Sequence, residues 1–288
     1  MENNAIQNRY EFVILFDCEN GNPNGDPDAG NMPRTDPETN LGIVTDVCLK
    51  RKIRNYIELA KEGEAGYNIL IKADKSLNSK FTDAYDALGL PKKQKGKNAD
   101  DVRSAQQYMC KNYFDVRAFG AVMSTGDDPC GIVRGPVQLN FARSIDPVYP
   151  QDITITRQAR TTEDRQSTGS TEMGKKSVIP YGLYRAEGYI SAMQAQKVTG
   201  FNDADLEILW TAILNMFEDD HSAARGKMCL RKLYIFKHET PLGNAPSHVL
   251  FDKIRIEKKP DVTAPRAFSD YQITVDEIMP AGVTLIQK

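Results

Sequence analysis

Lys50 and Arg54 stand one helical turn apart, with Arg51 beside them, in the run Thr45-Asp46-Val47-Cys48-Leu49-Lys50-Arg51-Lys52-Ile53-Arg54-Asn55. Cations at that spacing match successive phosphates of a nucleic-acid backbone, a contact that positions a strand without reading its sequence. Just upstream, residues 20–36 are dense in turn-forming side chains, from Asn20, Asn22 and Asn24 through Asp26 and Asp28 to Arg34 and Asp36. Asn, Gly, Pro and Asp each favour turns for their own backbone reason. A long, shaped loop with no apolar core of its own is therefore expected, and loops of that length are functional or disordered. Its free backbone N–H groups can cradle a phosphate beside the helix cations. A solvated helix face is the competing reading.

Other groups could serve the same chemistry. Ser222-Ala223-Ala224-Arg225-Gly226-Lys227 has the small residues and cations of a tight phosphate-side turn, or simply of a helix-to-strand connection. Met173-Gly174-Lys175-Lys176 follows the polar run 161–171, which Arg157 and Arg160 precede. Arg117 comes just before Phe119-Gly120-Ala121-Val122, a partial echo of the motif that presents stacking aromatics in RRM domains, although Phe119 is expected in the core. Arg134 opens a basic stretch reaching residue 176, and residues 92–97 form another, for which solvent exposure is the default and target DNA the alternative.

Catalysis is not indicated. Asp26, Asp28 and Asp36 could hold a divalent ion, but loop aspartates most often satisfy nearby backbone N–H groups. His221, His238 and His248 are scattered, and only His221 has acidic company, in Asp219 and Asp220. No His-x-x-x-His pair, Gly-x-Ser-x-Gly turn or Walker pattern occurs in the chain, so no catalytic residue, metal site or cofactor is expected.

The elements that must position these groups follow from periodicity. Residues 10–18 read as a mostly buried strand, and residues 45–61 as a helix with Leu49, Ile53, Tyr56, Ile57 and Ala60 on one face. Residues 63–112 look like an inserted helical region. Strands are expected at 116–123, 135–142 and 183–193, and residues 150–180 read as a protruding hairpin. Asn202 or Asp203 should cap a helix bearing Leu206, Leu209, Trp210, Ile213 and Phe217, with another strand at 228–236. The last fifth is harder to place, with 271–275 as a candidate strand.

Composition sets outer bounds. With 40% apolar and 26% charged residues the chain suits a globular fold. Its net charge of −2 neither supports nor excludes RNA, because phosphate binding needs a local stripe of charge. Five widely spaced cysteines form no Cys-x-x-Cys pair, which suits a reducing cytoplasm. The first residues lack a basic segment followed by an apolar one, and no run is long enough to span a bilayer, so neither signal peptide nor membrane partner is expected.

Several of these motifs together, in order, carry a family resemblance. Asn22-Pro23-Asn24-Gly25-Asp26-Pro27, the helix from Thr45 to Asn55, Met173-Gly174-Lys175-Lys176, Pro180-Tyr181-Gly182-Leu183-Tyr184 and Ser222-Ala223-Ala224-Arg225-Gly226 resemble the Cas7-family backbone subunit (RAMP superfamily) of type I-C CRISPR Cascade complexes. The likeness runs from about residue 10 to about residue 240. It implies an α+β fold: a ferredoxin-like, RRM-like palm (about 10–62, 113–145 and 181–240), with helical fingers at 63–112. A β-hairpin thumb would occupy 150–180 and a C-terminal elaboration 241–288, all in a single domain. It further implies a non-catalytic subunit that polymerises head to tail on CRISPR RNA and presents the guide to target DNA beside other Cascade subunits. RNA contacts are then expected at Asn20, Asn22, Asn24, Arg34, Lys50, Arg51, Arg54, Arg117, Arg134, Arg225 and Lys227. In the thumb, Arg157, Arg160, Lys175 and Lys176 would flank Met173 as an apolar wedge between bases. Relatives in type III complexes cut RNA from a loop aspartate, which makes a metal-dependent endoribonuclease the alternative. The acidic first segment is expected to meet a neighbour's basic surface, a contact that charge reversal at Asp26, Asp28 or Glu38 would weaken.

Overall fold

The computed structural model describes residues 5–92, 98–157 and 172–288, with Arg157, Glu172 and Met173 described by their backbone only. In chain order, β1 (Tyr10–Gly21), β2 (Gly25–Asp26), β3 (Met32–Pro33) and β4 (Leu41–Val44) lead into α1 (Asp46–Ala60). Three helices follow: α2 (Leu77–Leu88), α3 (Ala99–Asn112) and α4 (Phe114–Phe119). Strands β5 (Gly120–Met123), β6 (Gly131–Arg134), β7 (Val137–Leu139), β8 (Ala142–Pro147), β9 (Gln151–Arg157) and β10 (Glu172–Ile190) come next. The chain continues through a single turn α5 (Ala192–Gln194), α6 (Asp203–Asn215), β11 (Lys227–His238), α7 (Ser247–Phe251), β12 (Ile254–Lys258), β13 (Tyr271–Val275) and β14 (Val283–Gln287).

The main sheet has eight strands in the order β14-β11-β1-β10-β8-β4, with β7 and β9 also paired to β10. Every pairing is antiparallel. β10 and β11 flank β1 and are joined through α6, so the elements β1, α1, β8, β10, α6 and β11 form a split β-α-β-β-α-β series. Alternation along β1 explains its unbroken apolar run, because both of its faces are covered. Phe12, Ile14 and Phe16 meet Leu49, Ile53 and Trp210 in the layer that α1 and α6 supply. Val13 and Leu15 meet Phe236, Leu250, Phe251 and Tyr271 on the other face. The C-terminal residues thus form the sheet's second cover. Residues 271–275 are a strand as expected, but they pair with β12 in a separate hairpin, and the last strand is β14 at the edge of the main sheet.

A third apolar cluster belongs to the inserted region: Phe81, Tyr85, Met109, Val116, Met123 and Val133 pack together. Two expectations need correction here. The segment 116–123 begins as helix, because α4 runs to Phe119 and only Gly120–Met123 is strand. That strand pairs with β6 and packs with the insertion, not in the main sheet. The segment 135–142 is likewise broken, into β7 and the start of β8. The strand expected at 183–193 is the second half of one long strand that ends at Ile190. β9 and the first half of β10 form an antiparallel pair from Gln151↔Val178 to Arg157↔Glu172; the tip expected to join them lies outside the described residues. Among the described residues no helix is long and apolar enough to cross a membrane.

A candidate nucleic-acid interface

The loop after β1 is built from hydrogen bonds. β2 and β3 pair across a 3-10 turn at Pro27–Ala29, and Asn22 Nδ2 donates to the Asn31 carbonyl at 2.7 Å. Asn20, Asn31 and Asn40 all adopt positive φ, which Asn tolerates better than most side chains. Asn24 fastens the loop to the helix: its Oδ1 accepts from both the backbone N–H and the hydroxyl of Thr45, at 2.9 Å each. Thr45 in turn caps α1 through Cys48 N–H. The Asn-rich stretch therefore fixes where α1 starts.

The turn 222–226 lies directly against the end of β1. Asn22 N–H donates to the Ala224 carbonyl at 2.9 Å. A Cβ at Gly21 would sit 1.9 Å from the Arg225 carbonyl oxygen, and one at Gly226 would lie 2.4 Å from the Asn20 oxygen. Gly226 also has φ +62°, so only glycine fits there without strain. From the third side Lys176 Nζ donates to the Ala223 carbonyl at 3.2 Å. These three segments flank an open cleft of about 360 Å³ whose lining includes Asn22, Asn31, Lys175, Lys176, Ala224 and one carboxylate, Asp152, which accepts from the Ser177 hydroxyl. Lys175 is exposed and has no salt bridge among the described residues. Arg225 stands at the turn with its guanidinium on Asp220, and exposed Lys227 lies 3.5 Å from Glu19.

A second cationic region surrounds Phe119. Lys50 and Arg54 lie 5.6 and 5.2 Å from its ring centre, within cation–π range. Each already has a carboxylate: Lys50 reaches Asp46 at 3.0 Å, and Arg54 Nε donates to Asp115 at 2.9 Å. Asp115 also accepts from the backbone N–H groups of Leu70 and Ile71, so Arg54 helps to anchor the insertion on α1. Arg51 points outward and has no salt bridge among the described residues, and neither has exposed Arg134, whose residue pairs with Gly120. Arg34 is half-buried, 3.4 Å from Asp26.

Arg117 must be removed from the expected RNA contacts. Its Nε and Nη2 grip Asp205 at 2.8 and 2.7 Å, and its remaining donors go to the carbonyls of Cys110, Lys111 and Gly66. It is buried between the Tyr67 and Phe114 rings and locks α4 to the capping box of α6, where Asp205 is the N3 residue. No donor is left for a phosphate. For the thumb residues, the backbones of Met173 and Arg157 lie in the β9–β10 ladder, and Arg160 is outside the described residues. Residues 93–97 of the Lys-rich stretch are outside them too.

The loop carboxylates are occupied locally. Asp26 accepts from Asp28 N–H, and Asp36 accepts from the N–H groups of Glu38 and Thr39 and from Arg143 at 3.0 Å. The Glu38 N–H and then the Arg143 guanidinium hold the Asp36 carboxyl below its ordinary range. Asp220 turns to Lys52 and Arg225. Among the described residues no group of three or more His, Cys, Asp and Glu side chains is placed to hold a metal ion. Burial pushes the Cys18 and Cys130 thiols up to about 12, so neither offers a thiolate at neutral pH.

Residues 8–276 match the model of the family described as "CRISPR-associated protein Cas7". The chain belongs to that family. A CRISPR-associated protein Cas7 from Haloferax volcanii is 28% identical over 230 residues, which span 72% of this chain and 65% of the relative. The matched part thus falls just short of two thirds of that Cas7 protein. Among solved structures, a chain of a "CRISPR RNA-guided surveillance complex, pre-nicking" covers 79% of this chain and 78% of its own length at 14% identity and TM-score 0.48. A chain of a second CRISPR RNA-guided surveillance complex covers 79% and 68% at 13% identity and TM-score 0.46. Sequence reasoning missed Lys52 and Asp115 in this Cas7-family chain; a charged residue between core positions of a helix was the available signal for Lys52.

Proposed function

We propose that this chain is a non-catalytic guide-RNA-binding backbone subunit of a type I-C Cascade. Copies line up head to tail along one CRISPR RNA, each holding a short segment by its phosphates and leaving the bases free to pair with target DNA. The observation that carries this reading is the cleft between the Asn-rich loop, the β9–β10 root and the 222–226 turn. There backbone groups and the cations Lys175 and Lys176 converge, with Arg225 in the adjoining turn, and no catalytic constellation is formed among the described residues. Open contacts between copies give a helical filament whose length the RNA sets, and a net charge of −2 limits repulsion between stacked copies. The β9–β10 arm is then the thumb, with Met173 as its wedge. The cytoplasm is the compartment this implies.

Incubating the purified protein with single-stranded RNAs of increasing length, with and without magnesium, tests it. Particle mass should rise in steps with RNA length while the RNA stays intact. A fixed small mass with magnesium-dependent cutting, lost on Asp26→Ala or Asp36→Ala, would replace this reading with an endoribonuclease.

A further inference from the structure

One buried cation is linked to the turn that walls the cleft. Lys52 sits on α1 between the core positions Leu49 and Ile53, and only 1% of its surface is accessible. Its ammonium pairs with Asp220 in the connection after α6, 5.5 Å over the Phe217 ring. Asp220 also takes the Arg225 guanidinium, whose Nη1 donates to the Asp220 carbonyl at 2.8 Å. One carboxylate thus faces two cations, one buried on α1 and the other in the turn that walls the cleft.

Stability alone is a poor reason for such an arrangement. Replacing a buried ion pair by well-packed apolar residues is often neutral or stabilising. The rest of the α1–α6 contact is apolar, with Ile53, Leu209, Ile213 and Phe217 in one cluster, so a methionine-sized side chain would suit position 52. What an apolar residue cannot do is hold Asp220. Through Asp220, α1 sets the shape of residues 220–225, and Arg225 is the one member with substantial exposure, at 28%.

We propose that Lys52 is a positioning residue for RNA binding. Through Asp220 it fixes Arg225 and the 222–226 turn beside the cleft, and a backbone phosphate of the RNA meets the Arg225 guanidinium. This rests on the RNA-binding reading above. Lys52 does not itself reach the phosphate, which separates it from the surface lysines.

Affinity for a short single-stranded RNA oligonucleotide, measured across a salt series, provides the test. Each phosphate contact contributes about 0.7 to the slope of log affinity against log salt on a single strand. Arg225→Met should lower both affinity and slope. Lys52→Met should lower affinity roughly tenfold, by analogy with the low end of what losing an outer-shell partner costs at metal sites, with the slope unchanged. Asp220→Glu keeps every charge and lengthens the carboxylate arm by one methylene, so it should also weaken binding at constant slope; it serves if Lys52→Met fails to fold. Wild-type affinity in a folded Lys52→Met or Asp220→Glu variant overturns the proposal, as does a slope that falls with Lys52. A wild-type protein that binds no RNA removes the RNA-binding reading and this inference together.

Discussion

The two cationic regions of this chain look alike in sequence and differ in structure. Around Phe119, Lys50 and Arg54 are each matched by a carboxylate, and Arg117 nearby is wholly consumed by Asp205 and three carbonyls. Only Arg51 and Arg134, at the rim of that region, have no salt bridge among the described residues; at the cleft, which the turn bearing Asp220-paired Arg225 walls, Lys175 has none and Lys176 donates to a carbonyl. A buried pair holds elements together, whereas an unmatched cation beside an open cleft is available to a ligand. The first region is an anchor for the insertion and the second is the candidate interface.

The sharpest way to break this contrast is Arg117→Met. It strands the buried Asp205 carboxylate, and losing one partner of a buried pair costs about 3–5 kcal/mol. Denaturant unfolding should register that loss, while RNA affinity per folded molecule stays at the wild-type level. Reduced affinity in the folded fraction would return Arg117 to the RNA site.

Next in size is Gly226→Ala. The new Cβ would crowd the Asn20 and Glu19 carbonyls at φ +62°, and a non-glycine residue held in that region costs about 1–3 kcal/mol. A lower melting temperature together with weakened RNA binding is expected, because the turn is part of the cleft wall. Melting loss with unaltered binding would detach the turn from the interface.

Charge reversals sharpen the comparison further. Lys175→Glu should lower the salt slope by about 0.7 or more, the contribution of one phosphate contact. Lys50→Glu should change it less, since Asp46 already offsets Lys50. Equal slopes for the two variants would erase the distinction between the regions.

The smallest expected effect is a pH dependence. The Asp36 carboxyl is held below its ordinary value of 3.8 by the Glu38 N–H and Arg143. Its contribution is therefore complete above that value and is lost as the pH falls through the lower, folded-state value. Asp36→Asn should flatten the acid limb of a melting-temperature profile below about pH 4 and leave neutral pH nearly unchanged. An identical acid limb in wild type and variant would show that Asp36 is not so held.

Local pattern made parts of this legible. The helical period of residues 45–61 placed α1 and its buried Leu49, Ile53 and Ile57, though Ala60 at its end is exposed, and of the two cap candidates Asn202 is the one that starts α6. Neither signal says which cations are paired. Lys52 and Asp220 are 168 positions apart, and Arg117 and Asp205 are 88 apart. Such partners are set by how α1, α4 and α6 cross, which composition does not encode. The loop was legible as shaped but not as a small β2–β3 ladder, because backbone hydrogen bonds leave no trace in side-chain type. The apolar run in β1 implied cover on both faces, yet nothing in residues 241–288 marked them as the second cover. Arg117 was misread because its burial between Tyr67 and Phe114 depends on the insertion folding back.

Photo-cross-linking with a 4-thiouridine-substituted RNA, followed by identification of the modified peptides, addresses the central claim most directly. The account predicts adducts in residues 20–32, 173–177 and 222–227, the three walls of the cleft. Adducts confined to residues 114–134 would contradict it, because RNA would then lie on the region assigned here as an anchor.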